Sequence, residues 1–220
     1  YNYNISIKVP MKYNLKIIEN FFDKNDFLAL KGINFENSKD HEMRAFHNQI
    51  DKNNNIIQNT FDKDFLKNLH LKYHQKAINI LRELNPEKVD LYDHSIFSIV
   101  KTGKNYKFPI HDDTPDKLLS GVIYLEPEEN SGTIFYSNKN GDSKKTIPWK
   151  QNCGVFFSRK ERETWHSYEG NKQSERIVLV YNLQTKQLKK VFEIEKKSYF
   201  YGMLRWKLNP TIFKYFKTLI

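Results

Sequence analysis

Residues 91–183 predict a double-sheet jelly roll within a mainly β, α+β chain, with N-terminal helices packed on one sheet and a helical tail behind. Three observations carry this expectation. From about residue 91 the apolar residues recur with a period of two, turn residues cut the stretch into eight short segments, and no helical period intervenes. With 220 residues and 39% hydrophobic content, the chain has material for one well-cored domain. We expect that domain at 1–183, with helical support over about 1–90 and the β core over about 91–183. A basic, aromatic-rich helical extension follows at 184–220.

The first third reads helical. Asp23 stands before the apolar-periodic Phe27, Leu28 and Leu30, where its carboxylate can accept the free N–H groups of a first turn, and Gly32 offers the stop. Residues 34–59, rich in Asn and charge, read as a long loop or a poorly packed connection. Phe65, Leu66, Leu69, Tyr73, Ile78 and Leu81 then recur at steps of three and four, one apolar helix face that Pro86 ends. The eight strands are expected at about 92–100, 106–111, 118–125, 132–137, 143–147, 153–158, 164–168 and 176–183. Thr102-Gly103, Asn130-Ser131-Gly132 and Asn140-Gly141 supply turns between them. In the tail, aromatics interleave with Lys, and two helices broken at Asn209-Pro210 would each carry an apolar face.

Composition narrows the chemistry. No run of eighteen apolar residues and no signal-peptide pattern occurs, so the expectation is a cytoplasmic protein, although an opening at Tyr1 rather than Met leaves room for a removed leader. The only cysteine, Cys153, has no disulfide partner and no thiolate cluster to join, so any metal must be held by His and carboxylate. Net charge is +10, but residues 184–220 hold nine Lys and Arg against Glu193 and Glu195, so the basicity sits largely in the tail. Lys and Asn enrichment follows from an AT-rich genome as readily as from nucleic-acid binding, and nucleic acid is not the favoured partner.

His111-Asp112-Asp113 comes where the segment carrying Tyr106 and Phe108 runs out. In extended backbone, residues two apart share a side, so His111 and Asp113 can converge on one ion while Asp112 points away. His166 lies in the seventh expected strand and offers a third donor. Two imidazoles and one carboxylate leave an open face, as iron(II) oxygen chemistry requires. A His-x-Asp tripeptide by itself is mostly a solvated turn. Its weight comes from the conjunction with His166 and with Arg176, ten residues later, at the head of an apolar strand. Arg176 is either surface-exposed or paired, or it is a guanidinium gripping a carboxylate through two parallel hydrogen bonds.

His111-Asp112-Asp113 is followed in order by Val122-Ile123-Tyr124-Leu125-Glu126-Pro127, Ser131-Gly132-Thr133-Ile134-Phe135, Ile147-Pro148 leading to Val155-Phe156-Phe157, then Thr164-Trp165-His166 and Arg176. In this order and spacing, residues 92–183 resemble the catalytic core of the 2-oxoglutarate- and iron(II)-dependent oxygenases, particularly the prolyl-4-hydroxylase-like branch. The resemblance implies a double-stranded β-helix, with Fe(II) on His111, Asp113 and His166. It also implies 2-oxoglutarate held by Arg176 through its distal carboxylate. By the same similarity Tyr124 donates a hydrogen bond to that carboxylate; its other reading is a core aromatic. Two departures stand out: Val178 replaces a Ser or Thr that would bind the co-substrate, and Asn152 replaces a Gly before the apolar strand.

The implied reaction is oxidative decarboxylation of 2-oxoglutarate to succinate and carbon dioxide, coupled to hydroxylation, with ascorbate admitted as an accessory reductant. Asp113 leaves no ligand position for chloride, which disfavours halogenation. Protein prolyl side chains, free amino acids, sugars and lipid-linked intermediates all remain as substrates. Base repair is disfavoured because Asn182 stands where those relatives carry a second arginine. The competing readings are a cupin-like metal enzyme without 2-oxoglutarate and a non-catalytic binding module on the same scaffold.

Other residues have blander readings. His70 and His74, one helical turn apart without an intervening zinc-peptidase Glu, read as a partly exposed helix face. His41, His47 and His94 show no partner. Lys101, Lys104 and Lys107, with Arg159, Lys160 and Arg162, read as solvated loops or as a rim attracting an acidic substrate. The tail faces read as packing on the β core or a second subunit; the alternative is an anionic membrane or a carrier-linked substrate.

Overall fold

The computed structural model describes residues 4–7, 13–34 and 39–220. Its strands are β1 (Asn4–Ile7), β2 (Leu15–Ile18), β3 (Met43–Asp51), β4 (Ile56–Gln58), β5 (His94–Thr102), β6 (Lys107–His111), β7 (Lys117–Glu126), β8 (Ile134–Phe135), β9 (Lys145–Thr146), β10 (Gly154–Phe157), β11 (His166–Glu169) and β12 (Arg176–Gln184). Its helices are α1 (Lys24–Lys31), α2 (Lys63–Leu84), α3 (Leu188–Ile194) and α4 (Tyr199–Phe216), with a 3-10 turn at Pro86–Leu91. This is a mixed α/β fold in which helices flank a multi-stranded β core.

All eight strands expected between residues 91 and 183 are present, and they divide four and four. β10, β7, β12 and β5 lie in one sheet, and β6, β11, β8 and β9 make the other. The first sheet is larger than expected. β1 and β2 add to it beside β10, and β3 and β4 add beside β5, giving eight strands in the order β1-β2-β10-β7-β12-β5-β3-β4. At Gly132 an added Cβ would lie 1.7 Å from the Ile147 carbonyl oxygen, so the chain can pass there only as glycine.

Two expectations for the N-terminal third are corrected. It is not simply helical, and residues 34–59 are not a loop, apart from 35–38, which lie outside the described residues. β3 pairs with β5 along its whole length, from Met43 opposite Thr102 to Asp51 opposite His94. The strand is hard to read because its buried members include a polar one. Asn48 is fully buried yet satisfied, donating to Phe97 O at 3.1 Å and accepting from the N–H groups of Thr60 and Phe61 at 2.6 and 2.7 Å. Cross-strand pairing thus overrides weak strand propensity.

The helices follow their signals more closely. Asp23 caps α1 by accepting from Asp26 N at 2.9 Å, and Asp62 does the same for α2 through Asp64 N and Phe65 N at 3.0 Å. α2 buries Leu66, Leu69, Tyr73 and Leu81 against Phe97, Ile99, Leu119, Ile123 and Leu179 of the large sheet, forming the main core. Asn152 occupies a left-handed turn, φ 57°, which explains why asparagine serves where glycine was expected. Its side chain also ties the turn to Phe22, accepting from Phe22 N at 2.9 Å and donating to Phe22 O at 2.8 Å.

The tail is also corrected. α4 is continuous through Pro210, where a break was expected. Proline removes the bond to the Trp206 carbonyl and disfavours a helix interior by about 3 kcal/mol, but both flanks of the proline are anchored. Arg205 is held by Asp112 and Glu161, and Phe213 meets Phe108 with ring centroids 5.9 Å apart. α3 packs on the body of the protein, as expected for the apolar faces of the tail: Val191 and Phe192 are fully buried.

Candidate metal centre

His111 ends β6 and His166 opens β11, and these strands pair with the two histidines directly opposite each other. Asp113 lies two residues beyond His111, on the way to β7. One donor atom from each of the three groups falls within 4.8 Å of the others. Nδ1 of His111 faces Pro109 O at 2.9 Å and Nδ1 of His166 faces Thr164 O at 3.0 Å. A carbonyl can only accept, so both Nδ1 atoms carry the proton and both Nε2 lone pairs are left for an ion.

Asp113 is buried and held at both oxygens: Lys117 Nζ donates to Oδ1 and Ser120 Oγ to Oδ2, each at 2.5 Å. Burial raises its pKa, but the charge of Lys117 and the nearby imidazoles outweigh that and hold it well below the ordinary carboxylate range. Burial, with the neighbouring His166, pushes His111 down to about 3, and burial also lowers His166. The site is therefore one carboxylate and two neutral imidazoles, the protonation state a divalent metal needs. Phe108 meets His111 edge-on at 4.4 Å, and Phe157 meets His166 at 4.9 Å, so that apolar rings flank both imidazoles.

A cavity of about 530 Å³ opens from this centre between the two sheets, and His111, Asp113, His166 and Arg176 all line it. Arg176, at the head of β12, is 5% exposed, and its Nε is buried with no hydrogen-bond partner. Among the described residues no carboxylate forms an ion pair with it. Its guanidinium instead lies among aromatic rings, 3.8 Å from the centroid of Tyr168, 5.6 Å from Trp149 and 5.8 Å from Tyr124. Burial lowers its pKa, with Tyr168 and Tyr124 acting in the opposite direction. Tyr124 is fully buried, donates to Thr133 Oγ1 at 3.0 Å and accepts from Thr133 N at 2.9 Å.

Asp112 points away from the metal donors, binding Arg162 N at 2.7 Å and the Arg205 guanidinium. Tyr168, Ser120 and Lys117 were not singled out in the sequence, although Tyr168 stands two residues after His166 and alternation puts the two on one side. The other tempting residues have structural duties. His70 is buried rather than exposed, while His74 beside it is partly exposed as expected, their rings tilted with centroids 4.7 Å apart. His47 meets Ser98 Oγ at 2.7 Å and His94 meets Gln184 Oε1 at 3.0 Å. Lys101 pairs with Glu175 and Lys107 with Glu169, while Arg159 is fully buried between Glu195 and Glu161.

No protein-family model matches the sequence, and no curated protein matches it. Solved structures do match the fold. A Pseudomonas putida prolyl-4-hydroxylase superposes with a TM-score of 0.53 at 13% identity, covering 80% of this chain and 94% of that one. An oxidoreductase of the 2OG-Fe(II) oxygenase family from Burkholderia pseudomallei gives 0.56 at 14% identity, covering 77% and 84%. IDO from Bacillus thuringiensis gives 0.55 at 12%, covering 79% and 90%. The chain thus has the fold of the 2-oxoglutarate/iron(II) oxygenases and carries within it a His-Asp-His donor set of the facial-triad type.

Proposed function

We propose that the protein is an iron(II)- and 2-oxoglutarate-dependent dioxygenase on a double-stranded β-helix, hydroxylating an unactivated C–H of a protein side chain or small molecule. One observation carries the reading: a single cavity joins three metal-type donors to a buried arginine whose Nε has no partner. His111 and His166 would bind iron through Nε2 and Asp113 through its carboxylate. Arg176 would take the distal carboxylate of 2-oxoglutarate, supplying the counter-charge that this guanidinium lacks. The bound pair provides the oxidant by decarboxylating 2-oxoglutarate with dioxygen, giving succinate and carbon dioxide.

The protein's own residues orient and exclude. The Pro109 and Thr164 carbonyls fix both imidazole tautomers, Ser120 fixes the carboxylate, and Phe108 and Phe157 keep water from the centre. Tyr124 directs its proton to Thr133, so in this reading it stiffens the Thr133 wall and stacks beside Arg176. The motif order from His111 to Arg176 supports the prolyl-4-hydroxylase-like branch. A reducing, cytoplasmic setting suits both the ferrous ion and the unpaired Cys153.

The test is anaerobic titration of iron(II)-loaded protein with 2-oxoglutarate, watching the weak visible charge-transfer band of the chelate. The band should appear, and should weaken in Arg176→Ala. Folded, iron-loaded protein that gives no band would favour the cupin-like reading, and protein that takes up no iron would favour the binding module.

A further inference from the structure

The cavity is walled on one side by α4. Trp206, Asn209, Pro210 and Phe213 line it at helical spacing, while Phe200, Tyr201, Tyr215 and Phe216 stay exposed on the rest of the helix. The wall is fixed to the metal loop, since Arg205 grips Asp112, the residue between the two ligands His111 and Asp113. Facing α4 are Met43 and Ala45 of β3, Ile96 of β5, and Val122 and Val180 of the large sheet. Beyond the metal donors and Arg176 this interior is mainly apolar, and its volume suits a compact small molecule.

One polar group inside it is unsatisfied. Asn182 is 4% exposed, lines the cavity, and has a buried Oδ1 with no partner. It sits directly across from Ser120, whose hydroxyl holds Asp113. A buried acceptor left open is costly, and the side chain that carries it lines the space beside the metal centre.

We infer that the cavity takes a neutral, largely apolar small molecule carrying one hydroxyl or N–H group, which donates to Asn182 while α4 packs over the apolar body. Asn182 is then a substrate-anchoring residue, and Trp206 and Phe213 select for bulk. Naming this molecule the substrate rests on the oxygenase reading; its binding does not.

The probe is N-phenyl-1-naphthylamine, neutral, apolar and bearing one N–H, whose fluorescence rises on leaving water. Titrated into the full chain it should bind saturably, one to one. Phe213→Lys, which puts a charge into the cavity, should weaken binding by at least about tenfold. Asn182→Leu should weaken it roughly five- to tenfold. Ala45→Phe adds bulk at the β3 wall of the cavity and leaves the sequence of α4 unchanged, and should also weaken binding, so that loss in the helix variant is not merely misfolding of the helix. Phe216→Lys, on the exposed face, should change nothing. Absent saturable binding, equal loss in Phe216→Lys, or full binding in Asn182→Leu would overturn the inference, as would succinate release driven by poly-L-proline and unaffected by the naphthylamine. The 2-oxoglutarate band is read on the same preparations: a normal band without probe binding sinks this inference alone, and a missing band sinks the oxygenase reading.

Discussion

Arg205 holds both carboxylate oxygens of Asp112, with Nη1 2.7 Å from Oδ1 and Nη2 3.0 Å from Oδ2, and so pins helix α4 to the loop between two metal-type donors. The pair is the outer end of a buried network. Arg205 Nε also donates to Glu161 at 2.8 Å, Glu161 pairs with Arg159, and Arg159 and Lys88 share Glu195. Arg159 Nε reaches the Asp113 carbonyl at 3.1 Å, which closes the network back onto the metal loop.

Removing one member of such a set strands the others without water. Arg205→Ala leaves Asp112, whose side chain is wholly buried, without its guanidinium, so about 3 kcal/mol of stability should be lost in chemical denaturation. Arg205→Lys should recover only part, because an ammonium cannot span both oxygens. An alanine variant as stable as the wild type would mean that α4 is not clamped in solution.

Arg176 should show the opposite balance. Without co-substrate its guanidinium is a buried charge with an unpartnered Nε, so Arg176→Met should melt no lower than wild type, and a few degrees higher where the cavity stays dry. Adding 2-oxoglutarate to the zinc-loaded wild type at a hundred times its dissociation constant should stabilise it by about 2.7 kcal/mol. At the same concentration the methionine variant should gain much less of this. Equal stabilisation of both proteins would remove Arg176 from co-substrate binding.

The metal donors divide into ligands and supports. His166→Ala removes one of the three metal-type donors, and iron retained against a chelator such as ferrozine should fall to background. Ser120→Ala leaves all three ligands but frees Asp113 Oδ2, and should weaken iron about 10- to 100-fold. Unchanged iron occupancy in His166→Ala would defeat the ligand assignment.

The donor set was legible in the sequence because the order of its short motifs, from His111 through His166 to Arg176, could be read without knowing the pairing between them. Just past the end of β6 the chain puts His111 and Asp113 toward one donor set and Asp112 toward Arg205, and the two-residue spacing, applied to His166, points to Tyr168. What was not legible depends on distant partners. Asp112 and Arg205 lie 93 positions apart, and no local pattern links them. β3 was hidden because Asn48, satisfied by Phe97, Thr60 and Phe61, belongs to its buried face. α4 was read as broken because proline usually ends a helix, and the contacts that carry it past Pro210 come from Asp112, Glu161 and Phe108.

His70 makes a pH prediction independent of the metal. It is 2% exposed, its Nδ1 has no partner, and burial, helped by His74, lowers its pKa from 6.5 to about 4. In the unfolded chain the same group takes a proton near 6.5. Between about pH 6.5 and 4 the unfolded state therefore holds the extra proton. Stability is fully present above 6.5 and falls by up to about 1.4 kcal/mol per pH unit as acid is added, levelling near the folded value. His70→Phe removes that proton uptake, so its unfolding free energy should decline less steeply between pH 7 and 5. Parallel declines for wild type and variant in urea titrations at these two pH values would show that His70 is not the buried neutral imidazole described.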